Sequence, residues 1–159
     1  KASYVEGRHS IVPELLKELD SKGYNILFLP RYESDRDYAE GIKNIFIPTE
    51  AVNGMDACYY ADAILTGAGT MAREAACLGV PSVSFFAGAH LLTVDQSLVD
   101  AGKMFYSRDV QQIMQYLDTT KGSFFAERGG GIAGLERCKN VQQEILEVLD
   151  KKIREYLSK

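Results

Sequence analysis

Apolar residues fall along this chain in short runs that alternate with helical stripes. Residues 26–29 (Ile-Leu-Phe-Leu) stop at Pro30, residues 45–47 (Ile-Phe-Ile) at Pro48, and residues 63–66 (Ala-Ile-Leu-Thr) at Gly67. Residues 80–86 and 103–106 make a fourth and a fifth run. The runs are apolar throughout rather than alternating, which predicts strands covered on both faces. Helices are predicted between them, over residues 12–19, 53–60, 70–78, 94–101 and 109–117. Leu15, Leu16 and Leu19 share one face of the first, and Val110, Ile113, Met114 and Leu117 share one face of the last. Gly23, Gly79 and Gly102 supply stops. Strands separated by helices require crossover connections, so the fold class expected is α/β, a Rossmann-like parallel sheet flanked by helices.

Two segments break this rhythm. Residues 32–41 (YESDRDYAEG) are polar and read as a loop with a helical turn. Residues 121–134 contain Gly129-Gly130-Gly131 and read as a mobile connection. A long helix is predicted over 135–157, with an apolar stripe of Leu135, Cys138, Val141, Ile145, Leu149, Ile153 and Tyr156. The expected organisation is a Rossmann-like domain over 1–122, a glycine-rich connection over 123–134, and an amphipathic helix over 135–159. That helix would pack on the domain, on a missing N-terminal domain, or on a second copy in a homodimer. The chain opens at Lys1 without Met and reads as a piece of something longer, so half of an active site is expected elsewhere.

Composition narrows the function. The 159 residues carry a formal net charge of -4, which disfavours nonspecific binding to nucleic acid or an anionic membrane surface. No apolar run reaches the roughly 18 residues of a membrane span, and no signal peptide opens the chain. Cys58, Cys77 and Cys138 are far apart, odd in number and form no CxxC pair or Cys/His cluster. Reduced thiols in a cytoplasmic protein are expected, with no metal and no resident cofactor.

The most informative stretch is AILTGAGTMAREAACLGVP, residues 63–81. A strand ends, a glycine loop turns, and a helix begins near Thr70. That places free N–H groups and the positive end of a helix dipole at the carboxyl edge of the sheet, where they favour an anion. Gly67 and Gly69 can take positive φ and admit a phosphate close to the backbone. Gly67-x-Gly69-x-x-Ala72 formally fits the dinucleotide fingerprint. That pattern calls for an acid after the next strand, and Phe85-Phe86-Ala87-Gly88 has none. Glu74 instead lies one helical turn beyond Thr70, placed to reach the hydroxyls of a ribose whose diphosphate rests on Gly69 and Thr70. The purely structural alternative has Thr70 capping the helix and Glu74 complementing its dipole.

TGAGTMAREAACLGVP resembles the donor-binding motif in the C-terminal domain of GT-B glycosyltransferases and of the related UDP-N-acetylglucosamine epimerases. FIPTEAVNGMDACYYADAIL is similar to the preceding strand, helix and strand of the N-acetylglucosaminyltransferase of peptidoglycan synthesis. HLLTVDQSLVDAGKMFY resembles the His, Asp-Gln and small-residue pattern in the next segment of that enzyme. The likeness covers about residues 45–117. EGRHSIVPELLKEL and the LPR after the first strand resemble most an archaeal family of this superfamily, domain of unknown function 354.

The resemblance implies the donor-binding half of a glycosyltransferase-like protein that takes a nucleoside-diphosphate sugar, expected to be UDP-linked. It implies that Glu74 holds the ribose, that Gly67, Gly69 and Thr70 cradle the diphosphate, and that Asp95 and Gln96 contact the sugar. It also implies that the Phe46-Ile47 backbone faces the base. An epimerase of the same fold and a non-catalytic assembly module are the alternatives. This chain has extra residues before Glu74 and insertions after Ile47 relative to those enzymes.

Four further residues are weighed on their own. His90 follows the fourth strand and is the one candidate acid/base, against an ordinary exposed loop histidine. Arg8, with His9 beside it, would sit at the ligand edge if a strand precedes Lys1. Arg31 ends the first strand and can offer a fork to phosphate, though pairing with Glu33 or Asp35 explains it more simply. Arg73 is expected on another face of its helix, in solvent. No Ser-His-Asp order, paired carboxylates or metal-ligand spacing stands out, so the catalytic residues are not identified.

Overall fold

Helix α1 (Val12–Ser21) begins with a proline in its first turn, where a missing N–H is tolerated, and buries Leu15, Leu16 and Leu19. Gly23 ends it at φ 74°, a left-handed conformation that costs glycine little. The computed structural model describes residues 9–120 and 129–158. Strand β1 (Ile26–Leu27) leads through a 3-10 helix (Glu33–Ala39) to β2 (Ile45–Phe46), and α2 (Gly54–Tyr60) follows. Asn53 caps α2 by accepting the amides of Met55 and Asp56 at 2.9 and 3.3 Å. Then come β3 (Ile64–Thr66), α3 (Gly69–Leu78), β4 (Ser82–Ser84), α4 (Thr93–Asp100), β5 (Phe105–Tyr106), α5 (Val110–Thr120) and a C-terminal helix α6 (Gly129–Leu157).

All strand pairs are parallel. β1 pairs with β2, and β3, β4 and β5 form a second ladder in that order. One face is covered by α1 and α5, whose Leu15, Leu19, Val110, Ile113, Met114 and Leu117 enclose Val83 of β4. Ile26, Leu65 and Phe105 pack on the same cluster. The other face of β3 and β4 is covered by α2 and α3 through Cys58, Ala75, Leu78 and Val80. Ala72, Ala76 and Met104 join α3 to the α4–β5 connection. The alanines of α3 let the helix sit close on the sheet, and all three are buried. The expected fold class, a helix-flanked parallel α/β sheet, is therefore observed.

Three expectations differ in detail. The strands are shorter than their apolar runs, and β1 and β2 are covered on one face only. Leu27, Leu29 and Phe46 are exposed, because α1 packs on one side and no described element covers the other. The helix expected from residue 135 already runs from Gly129, so the triple glycine is helical. Packing of α6 against α3 outweighs the poor helix propensity of glycine, a cost of about 1 kcal/mol each. The part of the glycine-rich connection at residues 123–128 lies outside the described residues. On α6, Val141, Ile145, Leu149, Ile153 and Tyr156 are all exposed in the single chain. No helix among the described residues is long and apolar enough to cross a membrane.

Candidate functional site

The loop from β3 to α3 lies at the carboxyl edge of the sheet, and Gly67, Ala68 and Thr70 are exposed. Thr66 Oγ1 accepts the Ala68 amide at 3.0 Å and fixes the turn. The helix starts at Gly69, with Ala68 at the N-cap and no side-chain cap. Thr70 therefore does not cap it, and the first-turn amides are left free for an outside acceptor. Neither Gly67 nor Gly69 has positive φ. Close approach, not backbone strain, accounts for glycine here. A Cβ on Gly67 would lie 2.9 Å from the Phe85 ring, and a Cβ on Gly69 would collide with the Arg73 guanidinium.

Arg73 is not free in solvent, and its place in the site has no signature in the sequence. Its Nε and Nη2 donate to Asp95 Oδ1 and Oδ2 at 2.7 and 3.0 Å, a bidentate fork. The hydrogen bond that Arg73 donates to the Asp95 carboxylate raises the Arg73 pKa above its usual value. Asp95 is buried at 3% exposure on the first turn of α4. Both its oxygens accept from Arg73, so the sugar contact implied for Asp95 would have to be made alongside that fork.

Glu74 is half-buried, with its carboxylate against the start of α2: a Cβ on Gly54 would meet Glu74 Oε2 at 3.9 Å. It stands outside the first turn of α3, so it does not complement the dipole of its own helix. Burial pushes the Cys58 thiol up, and the negative charge of Glu74 adds to the effect.

His90 is exposed and lines an open hollow of about 500 Å³ with Leu91, Thr93, Gln96, Asp100 and Tyr106. Gln96 Nε2 donates to Asp100 Oδ1 at 2.8 Å, while Tyr106 donates its hydroxyl to the Phe86 carbonyl at 3.1 Å. The hollow lies beside the ends of β4 and β5, and the glycine loop does not line it. His90 and Gln96 are thus brought together, whereas Glu74 and the loop form a separate group around α3.

Arg31 is exposed, with its guanidinium 5.7 Å from the centre of the Tyr32 ring. It pairs with neither expected acid: Glu33 takes Arg36 at 3.0 Å, and Asp35 Oδ2 accepts the Tyr32 amide. The Phe46 carbonyl accepts the Phe28 amide within the sheet at 2.9 Å, while Ile47 is half-buried. Arg8 lies outside the described residues. Arg108, which no motif marks, donates to the Phe85 carbonyl at 3.2 Å and the His9 carbonyl at 2.7 Å. It straps the entry of α1 to the end of β4. No group of three or more His, Cys, Asp or Glu residues is arranged for a metal among the described residues.

A helix-flanked parallel sheet with an uncapped helix N-terminus at its carboxyl edge defines an α/β domain of Rossmann-like type. More narrowly, the chain belongs to the family described as Protein of unknown function (DUF354), which it matches over residues 1–153. It is 30% identical over 122 residues to the Uncharacterized protein MJ0665 of Methanocaldococcus jannaschii. That alignment covers 76% of this chain and 35% of the archaeal protein, so the chain spans about a third of that relative's length. No solved structure matches the chain.

Proposed function

We propose that this chain is the donor-binding half of a GT-B-type, glycosyltransferase-like protein. The ligand is a nucleoside-diphosphate sugar, with uridine diphosphate as the carrier. The observation that carries the reading is the exposed, uncapped start of α3 at the carboxyl edge of the sheet. Free amides and the helix dipole favour a diphosphate there, and the Arg73 guanidinium lies over Gly69 beside them. In the reaction a nucleoside diphosphate departs from an activated sugar. The helix N-terminus stabilises the developing charge without a metal. Glu74, half-buried between α2 and α3, takes the ribose hydroxyls. A missing N-terminal domain supplies the acceptor site, and the exposed stripe of α6 is where that domain or a second copy docks.

Two other readings are distinct in kind. An epimerase of the same fold would use His90 as its acid/base residue. A non-catalytic assembly module is favoured by the exposed Ile145, Leu149, Ile153 and Tyr156. The test is calorimetric titration of the full-length protein with UDP and UDP-N-acetylglucosamine. Saturable binding is expected, weakened about 10- to 100-fold by Glu74→Ala through loss of charged hydrogen bonds of about 1.5–3 kcal/mol. Absence of saturable binding to any nucleoside diphosphate sinks both enzymatic readings.

A further inference from the structure

Arg73 stands at an awkward place for a cation. It is one turn beyond Gly69 on α3, and helical side chains slant toward the N-terminus. Its guanidinium therefore folds back over the start of its own helix, where a Cβ on Gly69 would collide with it. The positive end of a helix dipole disfavours a positive charge there. The first turn of α3 carries no acidic residue to offset it. The offset comes from the next helix instead. Asp95, in the first turn of α4, accepts from Nε and Nη2 at 2.7 and 3.0 Å. A local rule broken and then repaired from another element is what functional sites show.

The fork to Asp95 uses one edge of a planar group that has five N–H donors. Nε spends its single hydrogen and Nη2 one of its two. Among the described residues Nη1 makes no hydrogen bond. The Arg73 side chain is 30% exposed against 5% for Asp95, so the carboxylate is closed in and the guanidinium is what solvent reaches. A clamp that only joins two helices needs neither an exposed outer edge nor a cation over a helix start. α4 also begins without a side-chain cap, and Leu92, Thr93 and Val94 at its start are exposed. The pair thus ties two uncapped helix starts together at the carboxyl edge. Arg73 and Asp95 cancel as charges, while each helix start carries about half a positive charge. The balance, about one positive charge with directed donors, suits an anion with several oxygens, such as a diphosphate.

We infer that Arg73 grips the anionic group of the ligand through its outer edge, and that Asp95 is the positioning residue that aims it. The inference deepens the proposed function: it rests on the anion site at α3, not on the identity of the nucleoside. Asp95 acts through Arg73 and not on the ligand. Its two oxygens set the plane of the guanidinium, so that Nη1 and the first-turn amides of α3 converge on the same phosphate oxygens. A lysine has no planar fork to be aligned in this way. Glycine is needed at position 69 because the guanidinium lies across it.

The test is calorimetric titration of the protein at the full length that its gene encodes, with UDP, uridine, UDP-N-acetylglucosamine and pyrophosphate as probes. Arg73→Met is expected to weaken UDP about 10- to 100-fold and to leave uridine unchanged. Arg73→Lys should weaken UDP about 10-fold, and it decides the matter where Arg73→Met does not fold. Asp95→Asn should weaken UDP and UDP-N-acetylglucosamine by the same factor. A loss confined to the sugar nucleotide would make Asp95 a sugar contact and overturn its positioning role. An unchanged ratio of UDP to uridine affinity in the Arg73 variants would overturn the grip. If the wild type binds pyrophosphate but not UDP, the nucleotide reading fails, and loss of pyrophosphate binding in the variants still upholds Arg73. A wild type that binds neither overturns the inference.

Discussion

The Arg73–Asp95 pair lends itself to a test by asymmetry. The Asp95 side chain is 5% exposed, and that of Arg73 is 30% exposed. Arg73→Met strands a buried carboxylate without its fork. A stranded buried charge costs about 3–5 kcal/mol, and the lower end suits a pair whose arginine is partly exposed. For a chain of this length about 3 kcal/mol corresponds to a Tm lower by about 6–12 °C. Asp95→Leu is milder, because the freed guanidinium can turn to water; about 1–2 kcal/mol is expected. The double variant Arg73→Met/Asp95→Leu should be more stable than Arg73→Met alone, since no charge is then left unpaired. Urea unfolding of the four proteins at neutral pH measures the cycle. Additive losses, or a single Asp95→Leu loss larger than that of Arg73→Met, would refute the asymmetry and the burial on which it rests.

Two further outcomes can be checked directly. Gly67→Ala forces the Phe85 ring, 2.9 Å from the new Cβ, to give way; a loss of about 1–3 kcal/mol in urea unfolding is expected, and a neutral result would show that the ring moves freely. Cys58 is fully buried with its pKa raised, whereas Cys77 is exposed; iodoacetamide at pH 8 should alkylate Cys77 quickly and Cys58 only under unfolding conditions, as mass spectrometry of the peptides would record.

The elements are legible in the sequence because their signals are local. Apolar runs, glycine stops and helical stripes place α1 to α5 within two residues at each end in most cases. Strand length is less legible, since a ladder needs a neighbour: residues 26–29 carry four apolar side chains, but only Ile26 and Leu27 are paired. At the site, Gly67, Gly69 and Thr70 stand at the carboxyl edge as expected, but for different reasons. Gly69 serves the Arg73 guanidinium, which no spacing rule encodes. Arg73 and Asp95 are 22 positions apart, and their pairing depends on how α3 and α4 pack. The split between the loop and the His90 hollow is likewise a matter of tertiary arrangement.

The strap made by Arg108 differs from the fork of Arg73 in one respect that bears on ligand capture. The acceptors of Arg108 are carbonyls, which are dipoles and carry no net charge. They orient the guanidinium without cancelling it. Arg73 is neutralised on the spot by Asp95, but the positive charge of Arg108 stays available to its surroundings at the carboxyl edge. In a chain whose overall charge is -4, that edge holds a small reserve of opposite sign. An approaching polyanion would be repelled by the bulk of the protein and drawn to this rim. Such attraction extends about 8 Å at physiological ionic strength. A residue whose visible task is to hold two segments together thus also leaves a positive charge at this edge that no carboxylate bond cancels among the described residues.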